Sequence, residues 1–254
     1  MTDVNFDIIG FDLDGTLLDT SKEIAASLNH ALNRAGRPQM DETSVRSMVG
    51  MGAGHLLKMA LEKSDGAGAN RSDNHGGDDL AENLLPVLID HYEANLGLNS
   101  PAFEGLIESM DLLQDRGIKL AVVTNKLESL AVKLLTKVGM IDRFITVIGG
   151  DTMGAGRSKP NRDPIDEMIR RCGGVVGQTP AAFIGDSIFD IKAAKNAGIA
   201  NIAVSFGFLN QPVETLGADA VIDHYDELVP TLVRFGTRSG ISTGRPLLGG
   251  LRAD

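Results

Sequence analysis

A doubly wound parallel α/β sheet carrying an inserted α-helical domain is the fold that this chain of 254 residues predicts. Three observations lead there. From Gly105 onward, short apolar runs alternate with segments of helical period. An earlier apolar run, Phe6 to Phe11, ends in Asp12-Leu13-Asp14-Gly15-Thr16. Between the two, about Ser21 to Leu96 has helical period and no strand pattern. Alternating strands and helices argue a parallel sheet covered on both faces. A helical block that breaks this rhythm directly after the first strand is most simply an insertion. The expected boundaries are residues 1–20 and 97–235 for the α/β core and 21–96 for the helical cap.

The first strand rests on Phe and Ile in a run short enough to be buried. In Ser21 to Ala35, Ile24, Leu28, Ala31 and Leu32 recur at helical spacing. Ser21 is the expected cap, and Gly36 before Pro38 the stop. Asp41–Met48, His55–Glu62 and Leu80–Leu96 read as further helices, and Tyr92–Pro101 as the return linker. The core then reads helix 106–116, strand 119–123, helix 127–138, strand 144–148, helix 164–171 and strands 182–184, 202–204 and 220–222. Ser64–Asp79 has almost nothing to bury and reads as a mobile loop. The Gly-rich stretch 236–254 reads as a frayed tail.

Chemistry gathers at strand ends. Asp12 and Asp14 lie two residues apart at the carboxyl end of a strand, where open α/β sheets place ligands, and Gly15 permits the sharp turn that follows. Taken alone, this is also an ordinary Asp-Gly turn. Three partners follow in order: Thr124-Asn125-Lys126 after the run 119–123, Lys159-Pro160 before a helix, and Gly185-Asp186-Ser187 after Ala182-Phe183-Ile184, with Asp190 four residues beyond Asp186. Each has a plainer rival. Asp186 could cap a helix, Asp190 could be a solvated helical carboxylate, and Lys159 could be a surface lysine.

This ordered set resembles the haloacid dehalogenase superfamily, whose motifs are DxD, a Thr or Ser, a Lys, and a GD followed by another acidic residue. The resemblance spans about Phe6 to Val233. It implies that Asp12 is the nucleophile that forms an aspartyl-phosphate and that Asp14 protonates the leaving oxygen and later activates water. A Mg²⁺ ion would take Asp12, the backbone carbonyl of Asp14, and Asp186, whose oxygen chemistry suits that ion. Lys159 supplies fixed positive charge, Asp190 orients Lys159 or a ligand, and Thr124 holds the phosphate, with Asn125 and Lys126 adding contacts. An acid at position 14 is similar to the phosphatases and mutases of the superfamily and unlike its dehalogenases. The Gly50-Met51-Gly52-Ala53-Gly54 run resembles the substrate-facing cap loop of phosphoglycolate phosphatase-like members, with Gly52 letting backbone approach the substrate; a plain helix connector is the other reading. Arg162 departs from the pattern, which commonly has Pro there.

The implied activity is Mg²⁺-dependent hydrolysis of a small phosphorylated acid such as 2-phosphoglycolate. The alternatives are a sugar-phosphate phosphatase, a β-phosphoglucomutase-like phosphotransferase, or a non-catalytic phosphate- or metal-binding module. A net charge of −10 without a basic cluster excludes nucleic acid as a principal partner. It also demands local cations at any anion site. No apolar run is long enough to span a bilayer and no basic-then-apolar leader opens the chain, so no membrane partner and a cytoplasmic location are expected. The single cysteine, Cys172, reads as a small buried residue at a helix end, and His55 as a surface residue, with a reach to substrate from beside the Gly-rich loop as the other reading. A homodimer is left open.

Overall fold

The computed structural model describes residues 4–65 and 76–238. Six strands form one parallel sheet: β1 (Ile8–Phe11), β2 (Lys119–Val123), β3 (Thr146–Ile148), β4 (Ala181–Gly185), β5 (Ala200–Val204) and β6 (Ala220–Ile222), in the spatial order β3-β2-β1-β4-β5-β6. The order reverses at β1, so β1 lies between β2 and β4. Phe11 pairs with Val122 on one side and Ile184 on the other. The three strands therefore end side by side, at the topological switch point that open α/β sheets use for ligands.

Alternation along β1 sorts its side chains to two faces. Ile9 and Phe11 pack with Met110 and Leu113 of α5 (Leu106–Gln114), Leu134 of α6 (Glu128–Lys137) and Leu228 and Leu232 of α9 (Leu228–Arg238). Ile8 packs on the other face with Ile165 and Met168 of α7 (Asp163–Arg171) and Ala193 and Ala197 of α8 (Ile188–Ala197). Gly10 is required there, because a Cβ would lie 2.3 Å from Met168 Sδ. Burial on both faces accounts for apolar runs that do not alternate with polar residues.

Between β1 and β2 run α1 (Ser21–Arg34), α2 (Glu42–Arg46), α3 (Ala53–Asp65) and α4 (Gly76–Asn95). Helix α1 packs on α2 and α4, and α3 packs on α4. The chain leaves and re-enters the sheet region along paired backbone. Asp19 N donates to Pro101 O at 2.9 Å and Phe103 N to Leu17 O at 3.2 Å. Glu23, buried on α1, accepts from Gly97 N at 3.0 Å and Asn99 N at 2.5 Å.

Several expectations need correction. Thr20 rather than Ser21 is the cap residue of α1; the Ser21 hydroxyl instead donates to Asp19 and Glu42, at 2.6 and 2.7 Å. The expected loop 64–79 is shorter than its composition suggests, because Ser64 and Asp65 continue α3 and Gly76–Asp79 open α4. Its remainder, 66–75, lies outside the described residues. Tyr92–Asn95 belong to α4 and not to the linker. Gly236–Arg238 extend α9, and the rest of the expected tail also lies outside the described residues. Phe6 and Asp7 precede β1, and Phe144 and Ile145 precede β3.

Candidate active site

Asp12 follows the last residue of β1, its N–H donating to Ile184 O of β4 at 2.9 Å. Asp186 follows β4 and Thr124 follows β2. The register of three adjacent strands thus brings together residues far apart in the chain. Gly15, at φ +83°, turns the chain away beneath this group. A Cβ there would lie 2.3 Å from Asp186 Oδ2, so only glycine fits.

The charged centre is built around Lys159, in the loop before α7 and 3 % exposed. Its ammonium donates to Asp190 Oδ1 at 2.6 Å and Val123 O at 2.8 Å, and pairs with Asp12 Oδ1 at 2.8 Å. The contact with Asp12 is an ion pair without hydrogen-bond alignment, which leaves Asp12 Oδ1 free of any hydrogen bond. Asp190 is fixed from its other oxygen by the backbone N–H and hydroxyl of Ser187, at 2.9 and 2.5 Å, in a capping box that opens α8. Asp190 therefore aims Lys159 at Asp12. Asp186 Oδ2 accepts from Phe208 N at 2.5 Å.

Asp12, Asp186 and Asp190 each offer a carboxylate oxygen within 4.8 Å of the others. Burial, and then the charge of Asp190, push the Asp12 carboxyl up to about 7 despite Lys159. Burial, followed by Asp190 and Asp12, holds Asp186 well above the usual carboxylate range. Burial works against the Lys159 ammonium, but Asp12 and Asp190 outweigh it and raise its affinity for the proton. Three buried carboxyl groups lie together with a single ammonium, and Asp12 and Asp186 offer hard oxygens. That donor set fits a divalent cation.

Asp14 points elsewhere. Both its oxygens receive Lys126 Nζ at 2.8 Å, and Oδ1 also accepts from the Thr20 hydroxyl at 2.7 Å. The expected phosphate ligands Thr124 and Lys126 are thereby partly engaged within the chain. Thr124 Oγ1 accepts from Lys126 N at 3.1 Å. Asn125 ties the α2–α3 connection to the core, its Nδ2 donating to Gly50 O at 2.7 Å and Lys159 O at 3.1 Å, while its buried Oδ1 has no hydrogen bond. Gly52, at φ +84°, stands so close to the same strand end that a Cβ would lie 3.0 Å from Asn125 O.

A cavity of about 500 Å³ opens between these strand ends and the inserted helices. Asp12, Asp14, Thr124, Asn125 and Lys126 line its floor; Ile24, Leu56, Leu85, Leu88, Ile89 and Tyr92 line the helical side, with the Gly50–Gly54 connection and exposed His55 between. Residues 9–204 match the family described as haloacid dehalogenase-like hydrolase. The chain belongs to that family.

It is 38% identical over 222 residues to the phosphoglycolate phosphatase of Agrobacterium fabrum, covering 87% of this chain and 90% of the relative. The phosphoglycolate phosphatase of Caulobacter vibrioides is 39% identical over 223 residues, with 88% and 89% covered. A crystal structure described as a predicted phosphoglycolate phosphatase from Haemophilus somnus superposes with a TM-score of 0.80 at 29% identity, covering 89% of this chain and 98% of that one. This haloacid dehalogenase-like hydrolase is therefore a phosphatase, and no described helix is long and apolar enough to cross a membrane.

Sequence reading missed Tyr92, Thr20 and Arg46. Tyr92 read both as part of the helix Leu80–Leu96 and as the start of the linker, with no role at the site. Thr20 holds Asp14, and its place beside the motif was the one available signal. Arg46 pairs with Asp19 at 3.2 Å and lies 4.7 Å from the centre of the Phe208 ring, a contact between distant segments that no local pattern announces. Arg162, where the resemblance has Pro, pairs with Asp166 at 2.7 Å in the first turn of α7, which carries Pro164 instead. Cys172 is buried at the end of α7, and burial raises its thiol pKa.

Proposed function

We propose that this phosphatase hydrolyses a small phosphorylated acid, with 2-phosphoglycolate the leading candidate, through an aspartyl-phosphate on Asp12 and with Mg²⁺ as the cation. The observation that carries the reading is the convergence of Asp12, Asp186 and Asp190 around Lys159 at one end of the sheet. The relatives' names supply the substrate.

Asp12, ion-paired with Lys159, is the proposed nucleophile. It attacks phosphorus as the bond to the leaving oxygen breaks, and Asp14 delivers a proton to that oxygen. Asp14 then takes a proton from the water that releases phosphate and frees Asp12. Lys159 holds positive charge beside Asp12 throughout, and Thr124 with neighbouring backbone N–H groups holds phosphoryl oxygens. Asp12, Asp186 and the Asp14 carbonyl would hold the Mg²⁺, which when bound neutralises charge on the transferring phosphoryl group. Both oxygens of Asp190 are already engaged by Lys159 and Ser187, so its part is to orient Lys159. The inserted helices act as a cap that excludes water from the intermediate.

The test is phosphate release from a panel of small phosphate esters, with Mg²⁺ and with EDTA. The expected result is metal-dependent release, greatest for 2-phosphoglycolate. Equal rates with EDTA would overturn the metal, and a preferred sugar phosphate would overturn the substrate.

A further inference from the structure

We infer that Tyr92 is a positioning residue that sets Lys126 as the receptor for an anionic group on the leaving-group side of the substrate. The inference rests on the phosphatase reading above and deepens it. Lys126 Nζ is the ammonium of the cavity: no other lysine or arginine is among its described lining residues. The walls that face it from α1, α3 and α4 are aliphatic, through Ile24, Leu56, Leu85, Leu88 and Ile89. A carboxylate entering such a space from water needs a fixed cation to replace its hydration.

The ammonium is held on two sides. Asp14 takes it with both oxygens at 2.8 Å, and the Tyr92 ring lies under it with its centre 4.5 Å from Nζ. Tyr92 is 4 % exposed, so this contact is shielded from water and screened little. An ammonium has three N–H donors, and Asp14 occupies two. The ring face attracts the cation and the buried Tyr92 hydroxyl accepts no hydrogen bond, so Tyr92 fixes the position of Lys126 while leaving its third N–H able to receive an anion. Because Tyr92 belongs to α4, the inserted helices act on the leaving group through a charge that the core supplies.

The experiment compares 2-phosphoglycolate with 2-phosphoglycolamide, in which a neutral amide replaces the carboxylate at nearly the same size. The wild-type protein is expected to favour the carboxylate in kcat/KM by at least about tenfold. Tyr92→Leu should cut that preference about tenfold, raising KM for 2-phosphoglycolate by more than it raises KM for the amide. Tyr92→Phe keeps the ring and should keep the preference. Lys126→Gln should abolish the preference and serves if Tyr92→Leu does not fold. Equal losses on both esters in Tyr92→Leu, or an undiminished preference in Lys126→Gln, would overturn the inference while leaving a working phosphatase. Wild-type protein that hydrolyses neither ester, yet releases phosphate from other esters of the panel, would overturn the proposed substrate on which the inference rests.

Discussion

The strand ends and the inserted helices face one cavity with opposite chemistries. On the sheet side, Asp12, Asp186, Asp190 and Lys159 are almost wholly buried, and their positions are set by strand register, a capping box and backbone hydrogen bonds. On the helical side the lining is aliphatic apart from Tyr92, exposed His55 and the backbone of the Gly50–Gly54 connection. In the proposed mechanism, the charge that must stay fixed during phosphoryl transfer sits at one end of the parallel sheet. The surface proposed to meet the leaving group sits on helices joined to that sheet by two adjacent linker segments. Changes on the two sides should therefore differ in kind: at the charged centre they should lower catalytic rate, and on the helical side they should weaken substrate binding.

The largest effect should come from Asp12→Asn. It removes the proposed nucleophile while keeping the side chain's shape, so kcat should fall by at least about a thousandfold with little change in the thermal midpoint. A variant with near-normal kcat would erase the distinction between the two sides. Next is Lys159→Met, which leaves Asp12 and Asp190 buried without their cation. Breaking such a group costs about 3 kcal/mol of stability, and kcat should fall by about a hundredfold, as read by denaturant unfolding and steady-state kinetics.

The pH dependence of stability sharpens the same contrast. The folded carboxyl of Asp12 sits up at about 7 against 3.8 for the free group, so the native state holds a proton that the unfolded chain has lost. That contribution is present below about pH 4 and is lost as pH rises through about 7. In EDTA, the thermal midpoint should decline between about pH 4 and pH 7 and level off above. Added Mg²⁺ should reduce the decline, because it favours the ionised carboxylates. A midpoint that rises over this range in EDTA would contradict the electrostatics assigned to the strand ends.

The smallest effect should come from Asn125→Ala, which cuts the tie between the α2–α3 connection and the core. The loss of its two hydrogen bonds should cost about 1 kcal/mol and raise KM a few-fold, with kcat nearly unchanged. A large fall in kcat would place Asn125 with the charged centre instead.

What was legible in the sequence divides along the same line. Residues 119–123 and 220–222 read directly as strands, because a buried parallel strand is a short apolar run bounded by turns. The grouping of Asp12, Thr124 and Asp186 followed from each standing at such a run's end. The partnership of Lys126 with Asp14 was not legible, since it depends on how two adjacent strand-end loops fold over one another. Nor was the role of Tyr92, because helical period shows which face is apolar but not what that face meets. Helix α4 runs through Pro86, a residue that normally costs a helix about 3 kcal/mol. Its packing on α1 and α3 outweighs that local penalty, as tertiary contacts commonly outweigh propensity. The ends of the expected 64–79 loop misread for a related reason: Gly and Asp predict poor helix, yet Gly76–Asp79 begin one.

The most direct test of the central claim is to quench turnover of 2-phosphoglycolate in acid, reduce the protein with borohydride, and locate the modified residue by mass spectrometry. An aspartyl-phosphate at position 12 would be reduced to homoserine at that position, and this is the predicted result. Unmodified Asp12 during full turnover, or homoserine at Asp14 or Asp186 instead, would contradict the account.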